Sequence, residues 1–520
     1  MTFPVTMNWN LAGGMWIVLA MVGMMVLPEA RRWPFSLLAW LAGLVSLAAV
    51  GWPGVWSQAA MSHPLSKGIL ICLTVGVGMA LGASARGSWL ARCGGALQPV
   101  TAGQVTDLDE MDAWDWWLLL TLGLGVVMLS APHLAGALLA WELIQLTSLK
   151  FVRCEAAGDQ SRRVGIQSRL KGLMLLWQGT TAIFVWTGWL LLMNQQESRL
   201  TSMSNPVAGW QGDSWQQVGW VLMVAGCAGR LCLIPGHFLW LDLAAMLSPC
   251  RLSPNVGETT RRSLHGVLSG HQLVCWLCGL WVLSWLAPRN MPGIAADALP
   301  VSMEALAWSL IGGWTALAAG LIILKQEEWS RWVATILMAG TGWWVWSLCL
   351  LEPVPVEAQG ERWEGMSRQL TVMVVGFGLI KWGISEAFRT GRRLQYFEEW
   401  EGLFSVCPSG VLAVIGGVSL FLLSSPWPGW LMDTQPLLSL WQVRSGPEDR
   451  VELGSLSLLP GACLVLISSL LVWVGFFRWL ALVFAGLPIG ARSVPWGSFG
   501  VVILVSAALL WLAVGSGFMA

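Results

Sequence analysis

The chain has 520 residues, of which 56% are hydrophobic and only 11% charged, with a mean hydropathy of +0.64. Soluble chains carry about 25% charged residues, so a soluble globular protein is excluded and a polytopic membrane protein is indicated. The 29 basic and 29 acidic residues cancel, leaving no charge excess to attract nucleic acid.

Apolar runs of roughly 17–25 residues can cross a bilayer as helices, and the sequence predicts about fourteen such spans in an all-α fold. Spans 1–5 lie near 8–27, 34–52, 67–84, 114–131 and 133–152. Spans 6–10 lie near 170–193, 217–240, 263–287, 302–324 and 329–351, and spans 11–14 near 370–388, 408–431, 455–484 and 497–518. The first run has no basic lead and is followed by Arg31 and Arg32, so it is expected to be a retained span that starts outside. The acidic group Asp107, Asp109, Glu110 and Asp112 precedes span 4 and reads as a solvated loop.

Basic residues test the count independently. With the N-terminus outside, 20 of the 29 Lys and Arg fall in loops facing the cytoplasm and 7 in the opposite loops. That is the bias expected of cytoplasmic loops, and it predicts both termini outside. Only Arg230 and Lys381 then lie inside spans. The resulting organisation is spans 1–3 in 1–113, a first five-span repeat in 114–290, a second in 301–484, and span 14 in 497–520. The eleven cysteines are scattered; Cys275 and Cys278 form the one close pair, inside an apolar run and with no second pair or histidine set to make a metal site.

Glu142 falls mid-span, where a carboxylate costs several kcal/mol unless paired or protonated. It reads either as a proton carrier partnered by Arg230 or as one half of a static ion pair with it. Arg230 lies in VLMVAGCAGRLCLIPGHFLWLD, five residues before Pro235 and seven before His237. A guanidinium at membrane depth costs roughly 2.5–3.5 kcal/mol on insertion scales. Pro235 removes one helix hydrogen bond and crowds the preceding turn. Broken backbone survives at membrane depth only against protein or a wet cavity, so the segment is expected to line a polar interior.

Further along, His265 and His271 stand six apart, which is not a two-histidine metal spacing on a helix. Each reads as a group that takes and gives protons near neutral pH or as a hydrogen-bonded packing residue. Lys381 lies in VVGFGLIKWGISEAFR with Glu386 five residues on. It reads as a switchable cation, since a desolvated lysine can lose a proton and arginine cannot, or as a side chain snorkelling to the cytoplasmic face. Span 12 is interrupted late by Pro426 and Pro428, with Asp433 nearby. Two long spans broken near one end, in corresponding halves, point to inverted repeats around a midplane ion route.

Together these features resemble the antiporter-like membrane subunits of respiratory complex I, NADH:quinone oxidoreductase. The same family includes subunits of multisubunit sodium/proton antiporters, membrane-bound hydrogenases and a two-part inorganic-carbon uptake system. Trp141-Glu142-Leu143 with Leu146 and Ser148 is similar to the family's span-5 glutamate motif. Gly229-Arg230-Leu231, then Pro235, His237 and Trp240, is similar to its span-7 lysine motif. Glu399-Trp400-Glu401-Gly402-Leu403, then Pro408, Gly417 to Leu420 and Pro428 to Trp430, is similar to its approach to a broken span 12, leaning toward the N-type subunit. Gln326 to Ala334, with Arg331, faintly echoes the lead into span 10. The chain departs from the pattern where Arg230 replaces lysine, and where Met432 or Asp433 stands in place of a span-12 Lys or Glu.

The resemblance implies a proton-translocating membrane subunit that works with other membrane subunits of a multisubunit complex in a bacterial-type inner membrane. Protons would run from Glu142 through water to His265 or His271 and on to Lys381, with Arg230 acting on Glu142 as a fixed positive charge. No nucleotide motif, metal-ligand set or quinone signature is present, so no cofactor is expected and redox chemistry would belong to partners. Two other readings stay open: the membrane half of an inorganic-carbon system or cation/proton antiporter, and a structural subunit that no longer transports.

Overall fold

The computed structural model describes residues 117–118, 120–129, 131, 134–151, 160–193, 214–234, 236–237, 241, 258–287, 303–351, 356–390, 394–424 and 458–485. These are helical apart from short connections, with no strand among the described residues beyond one isolated bridge. The helices are α1 (Leu120–Leu129), α2 (Leu134–Phe151), α3 (Gln160–Met193), α4 (Ser214–Arg230) and α5 (Glu258–Trp285). They continue as α6 (Met303–Ile323), α7 (Trp329–Leu348), α8 (Val356–Ala387), α9 (Pro408–Leu423) and α10 (Leu459–Phe484). Four described helices are long and apolar enough to cross a membrane, within α3, α6, α8 and α10. The chain is a multi-pass helical membrane protein.

The helices fall on the predicted spans, but several extend beyond them. α3 begins ten residues before the run that predicted it, and α8 fourteen residues before. A helix satisfies its backbone internally, so it has no reason to stop where the apolar run stops. Spans 1–3 and 14 lie outside the described residues, as do Pro235, Trp240, Pro426, Pro428 and Asp433.

The chain divides into two compact units. The first contains α1, α2, the start of α3 and α5 as far as Cys278. Trp141 and Ile144 of α2 are fully buried there, while Leu139, Leu143 and Leu146 are exposed. That split puts one stripe of α2 into the protein and leaves another for lipid or a neighbour.

The second unit contains the rest of α3, α4, the end of α5 and α6–α10. Its centre is α7, in which every residue except Ser330 and Arg331 is buried. A helix apolar all round belongs in a core, and glycine lets its neighbours come close. A Cβ on Gly312 of α6 would run into the Trp346 nitrogen and the Gly342 carbonyl of α7, and one on Gly342 would meet Gly312 in return. Small residues at such crossings are how membrane helices pack without a hydrophobic drive between them.

The stretches 326–334 and 399–403 meet at one end of α7. Trp329 N–H donates to the Gln395 carbonyl at 2.9 Å and Phe397 N–H to the Glu327 carbonyl at 2.9 Å. Beneath this bridge, Trp329 stacks on Trp400 at 4.2 Å and on Trp332 at 4.9 Å, and Trp479 of α10 lies 5.4 Å from Trp329. The two stretches therefore form one aromatic joint.

Candidate functional site

Arg230 is the last residue of α4, not a mid-helix residue. A proline at position 235 is a sequence signal against a continuing helix, because proline has no N–H to offer the carbonyl four residues back. Leu231 N–H still donates to the Cys227 carbonyl at 3.1 Å, and Cys232 then turns left-handed at φ 57°. A left-handed residue commonly ends a helix, although a non-glycine there carries strain of about 1–2 kcal/mol. Past the break, Ile234 N–H donates to Thr315 Oγ1 of α6 at 3.3 Å. Gly236 lies so close over Gly229 that a Cβ would strike its backbone.

The position suits a cation, because carbonyls at a helix C-terminus carry partial negative charge. Arg230 is 7% exposed. Its Nε donates to Thr181 Oγ1 at 2.9 Å and its Nη2 to the Gln178 carbonyl at 3.1 Å. Both acceptors lie on α3, one turn apart, so one edge of the planar guanidinium meets one stretch of helix. Trp177 Nε1 donates to the Gly229 carbonyl at 3.0 Å and closes the same contact. Gly219, Gly226 and Gly229 of α4 face α3, where added Cβ atoms would meet Gly188, Val185 and Thr181.

The first unit holds a second polar site, around His271 of α5, which is 3% exposed. Nε2 is 2.8 Å from Ser148 Oγ of α2, and Nδ1 is 3.3 Å from Thr121 Oγ1 of α1. Thr121 Oγ1 is in turn 3.2 Å from Thr147 Oγ1. Cys275 Sγ, one turn from His271, is 3.5 Å from Nε2 and 3.9 Å from Ser148 Oγ. Three helices thus share a chain of hydroxyl, imidazole and thiol groups.

The remaining expected residues are spread over both units. Glu142 is half-buried on α2 and belongs to the first unit, whereas Arg230 belongs to the second. His237 is buried after the break in α4. Lys381 is half-buried on α8, with Nζ 5.2 Å from the Phe377 ring centroid, a cation–π contact. His265 lies on α5, but its side chain is outside the described residues. α9 ends at Leu423, short of Pro426, so α4 and α9, at 17 and 16 residues, lie at the lower edge of the roughly 17–25 that cross a bilayer.

Sequence reasoning missed Thr181 and Gln178 as the holders of Arg230, and Thr121, Thr147 and Cys275 as neighbours of His271. The available signal was hydroxyl residues inside apolar runs. It is weak, because such residues usually bond their own helix backbone. Thr181 does so as well, donating to the Trp177 carbonyl at 2.9 Å.

Buried polar groups at a helix break, inside a bundle of apolar helices, define a membrane protein with a polar interior. No family model matches the sequence, and no curated protein does. Solved structures match nearly end to end. A chain of the Mrp complex from Dietzia sp. aligns at TM-score 0.68 and 11% identity, covering 99% of this chain and 96% of that one. A chain of respiratory complex I from Thermus thermophilus aligns at 0.63 and 16%, covering 98% and 96%. A chain of the membrane-bound sulfane sulfur reductase, an archaeal respiratory membrane complex, aligns at 0.60 and 14%, covering 98% and 95%. The chain has the fold of the antiporter-like membrane subunits of the complex I group.

Proposed function

We propose that this chain translocates protons as one membrane subunit of a multisubunit complex related to NADH:quinone oxidoreductase, closest to the N-type subunit. The observation that carries the reading is the joining of that fold, over 98% of the chain, to buried protonatable and charged groups in its interior. Protons pass from Glu142 through water to His271 or His265 and on to Lys381. Arg230 acts on Glu142 as a fixed positive charge, because arginine is not deprotonated in proteins. The chain sits in a bacterial-type inner membrane with both termini outside, in two inverted repeats of five spans, and its partner subunits carry the redox chemistry.

Glu142→Gln, assembled in its complex and reconstituted into vesicles, is expected to lose proton uptake while the complex still forms. Wild-type uptake by that variant would remove Glu142 from the path.

A second reading is a cation/proton antiporter subunit, favoured by the alignment to the Mrp complex at 0.68. It predicts that uptake depends on sodium on the opposite side, which the first reading does not. A structural subunit is favoured by the tight seating of Arg230 on α3. It predicts that Glu142→Gln and Lys381→Met change assembly and leave coupling intact. Neighbouring genes separate a quinone oxidoreductase from a carbon-uptake system: iron–sulfur and flavin subunits accompany the former, and a soluble zinc protein the latter.

A further inference from the structure

Between Arg230 and Ile234, the end of α4 touches four helices in turn. Arg230 bonds α3 through Thr181 Oγ1 and the Gln178 carbonyl. Leu231 fills the space over Gly279 of α5, where a Cβ would overlap its side chain. Cys232 Sγ lies 3.6 Å from Thr341 Oγ1 of α7, and Ile234 N–H donates to Thr315 Oγ1 of α6 at 3.3 Å. All of these residues belong to the second unit. The last two contacts are not equal. Thr341 commits its proton to the Leu337 carbonyl at 2.7 Å, so it meets Cys232 as the acceptor of an S–H, which is a weak donor. Ile234 offers a backbone N–H, which in a continuing helix would donate to the carbonyl four residues back, that of Arg230. Two features turn it away from that carbonyl. Cys232 is left-handed at φ 57°, and Ile234 precedes a proline, which disfavours the helical conformation at the residue before it. An N–H shut away from water needs an acceptor, and the fully buried Thr315 supplies it.

We infer that Thr315 is a positioning residue for Arg230: it receives the N–H that the break in α4 sets free, and so fixes the turn from which the guanidinium reaches α3. The part of this that concerns transport rests on the reading above and deepens it; the bond itself stands apart from that reading. Gly312 lies one turn before Thr315 and Gly342 directly after Thr341, and these two glycines bring the backbones of α6 and α7 into contact. The two helices therefore carry both threonines as one piece, with Thr341 adding the weaker tether. The charge at Arg230 is tied to the α6–α7 pair as well as to α3. A displacement of that pair is transmitted to the fixed charge, and no proton has to pass through either threonine.

Hydrogen exchange resolved to single amides tests the bond on the full chain in its complex. Leu231 N–H, which donates to the Cys227 carbonyl at 3.1 Å, is the internal control. In Thr315→Val the Ile234 amide is expected to exchange about tenfold faster while Leu231 is unchanged, and Thr315→Ser is expected to restore slow exchange. Equal acceleration of both amides means general loosening and overturns the positioning role. An Ile234 amide as slow in Thr315→Val as in the wild type overturns the bond. Proton uptake is expected to fall about tenfold in Thr315→Val and to recover in Thr315→Ser, because a misplaced charge no longer meets its task. Wild-type uptake in Thr315→Val, with fast exchange at Ile234, overturns the role in transport. Failure of the transport reading itself shows separately, as wild-type uptake in Glu142→Gln, and leaves the exchange result standing. Where Thr315→Val does not assemble, the wild type and Thr315→Ser decide: slow exchange at Ile234 in both supports the bond, and fast exchange in either overturns it.

Discussion

Arg230 is the most informative residue to perturb, because two nitrogens of its planar fork bond two acceptors on α3. Arg230→Lys keeps the charge but replaces the two-nitrogen edge, fitted to Thr181 Oγ1 and the Gln178 carbonyl, with one ammonium on a differently shaped stem. Thr181→Val removes one acceptor and nearly conserves shape. The coupling in the double-mutant cycle of these two changes isolates the Nε–Thr181 bond, observed at 2.9 Å. A hydrogen bond to a charged group is worth about 1.5–3 kcal/mol in soluble proteins. Cycles between membrane helices average about 0.6 and reach about 1.7 kcal/mol, because the unfolded chain in lipid also finds partners. Since the guanidinium is charged and 7% exposed, the coupling should lie near the top of that range, about 1.7 kcal/mol, or roughly 15-fold in an equilibrium constant. Equilibrium unfolding in mixed detergent micelles, with all four proteins measured side by side, gives the number. Additive effects within about 0.3 kcal/mol would falsify the fork as a structural clamp.

Packing sets the remaining expectations. Gly312→Val should destabilise by about 1–3 kcal/mol, because the added atoms overlap the α7 backbone; Gly172→Ala, with open space around it, should be neutral or stabilising by up to about 1 kcal/mol in the same unfolding assay. Trp329→Ala should cost about 3–5 kcal/mol and erase the near-ultraviolet circular dichroism of stacked indoles, since Trp329 is 1% exposed and stacks on Trp332 and Trp400. A lipid-soluble maleimide should label Cys463, which is exposed, well before Cys227, Cys232, Cys275, Cys278, Cys349 and Cys407, all of which are buried. Mass spectrometry of the folded protein reads the order, and early labelling of Cys275 would show that the His271 site is open.

The aromatic joint marks a limit of reading motifs one at a time. Residues 326–334 and 399–403 are more than sixty positions apart, and nothing in either stretch states that their tryptophans stack. Arg230 illustrates the same limit from the other side. Its depth in an apolar run, and the proline after it, were enough to predict a break and a buried cation. That the helix ends at Arg230 itself, five residues before Pro235, is visible only in the backbone, which turns left-handed at Cys232.

What the sequence determined alone was the membrane class, the placement of the described spans, and the identity of the residues too polar for their surroundings. Those follow from transfer free energies and helix periodicity, which act on each stretch independently. Tertiary structure decided the partners: Thr181 and Gln178 for the guanidinium, Ser148 and Thr121 for the imidazole. A hydroxyl in an apolar helix bonds its own backbone equally well before any neighbour arrives, so only the approach of a second helix reveals which hydroxyl also serves another chain segment.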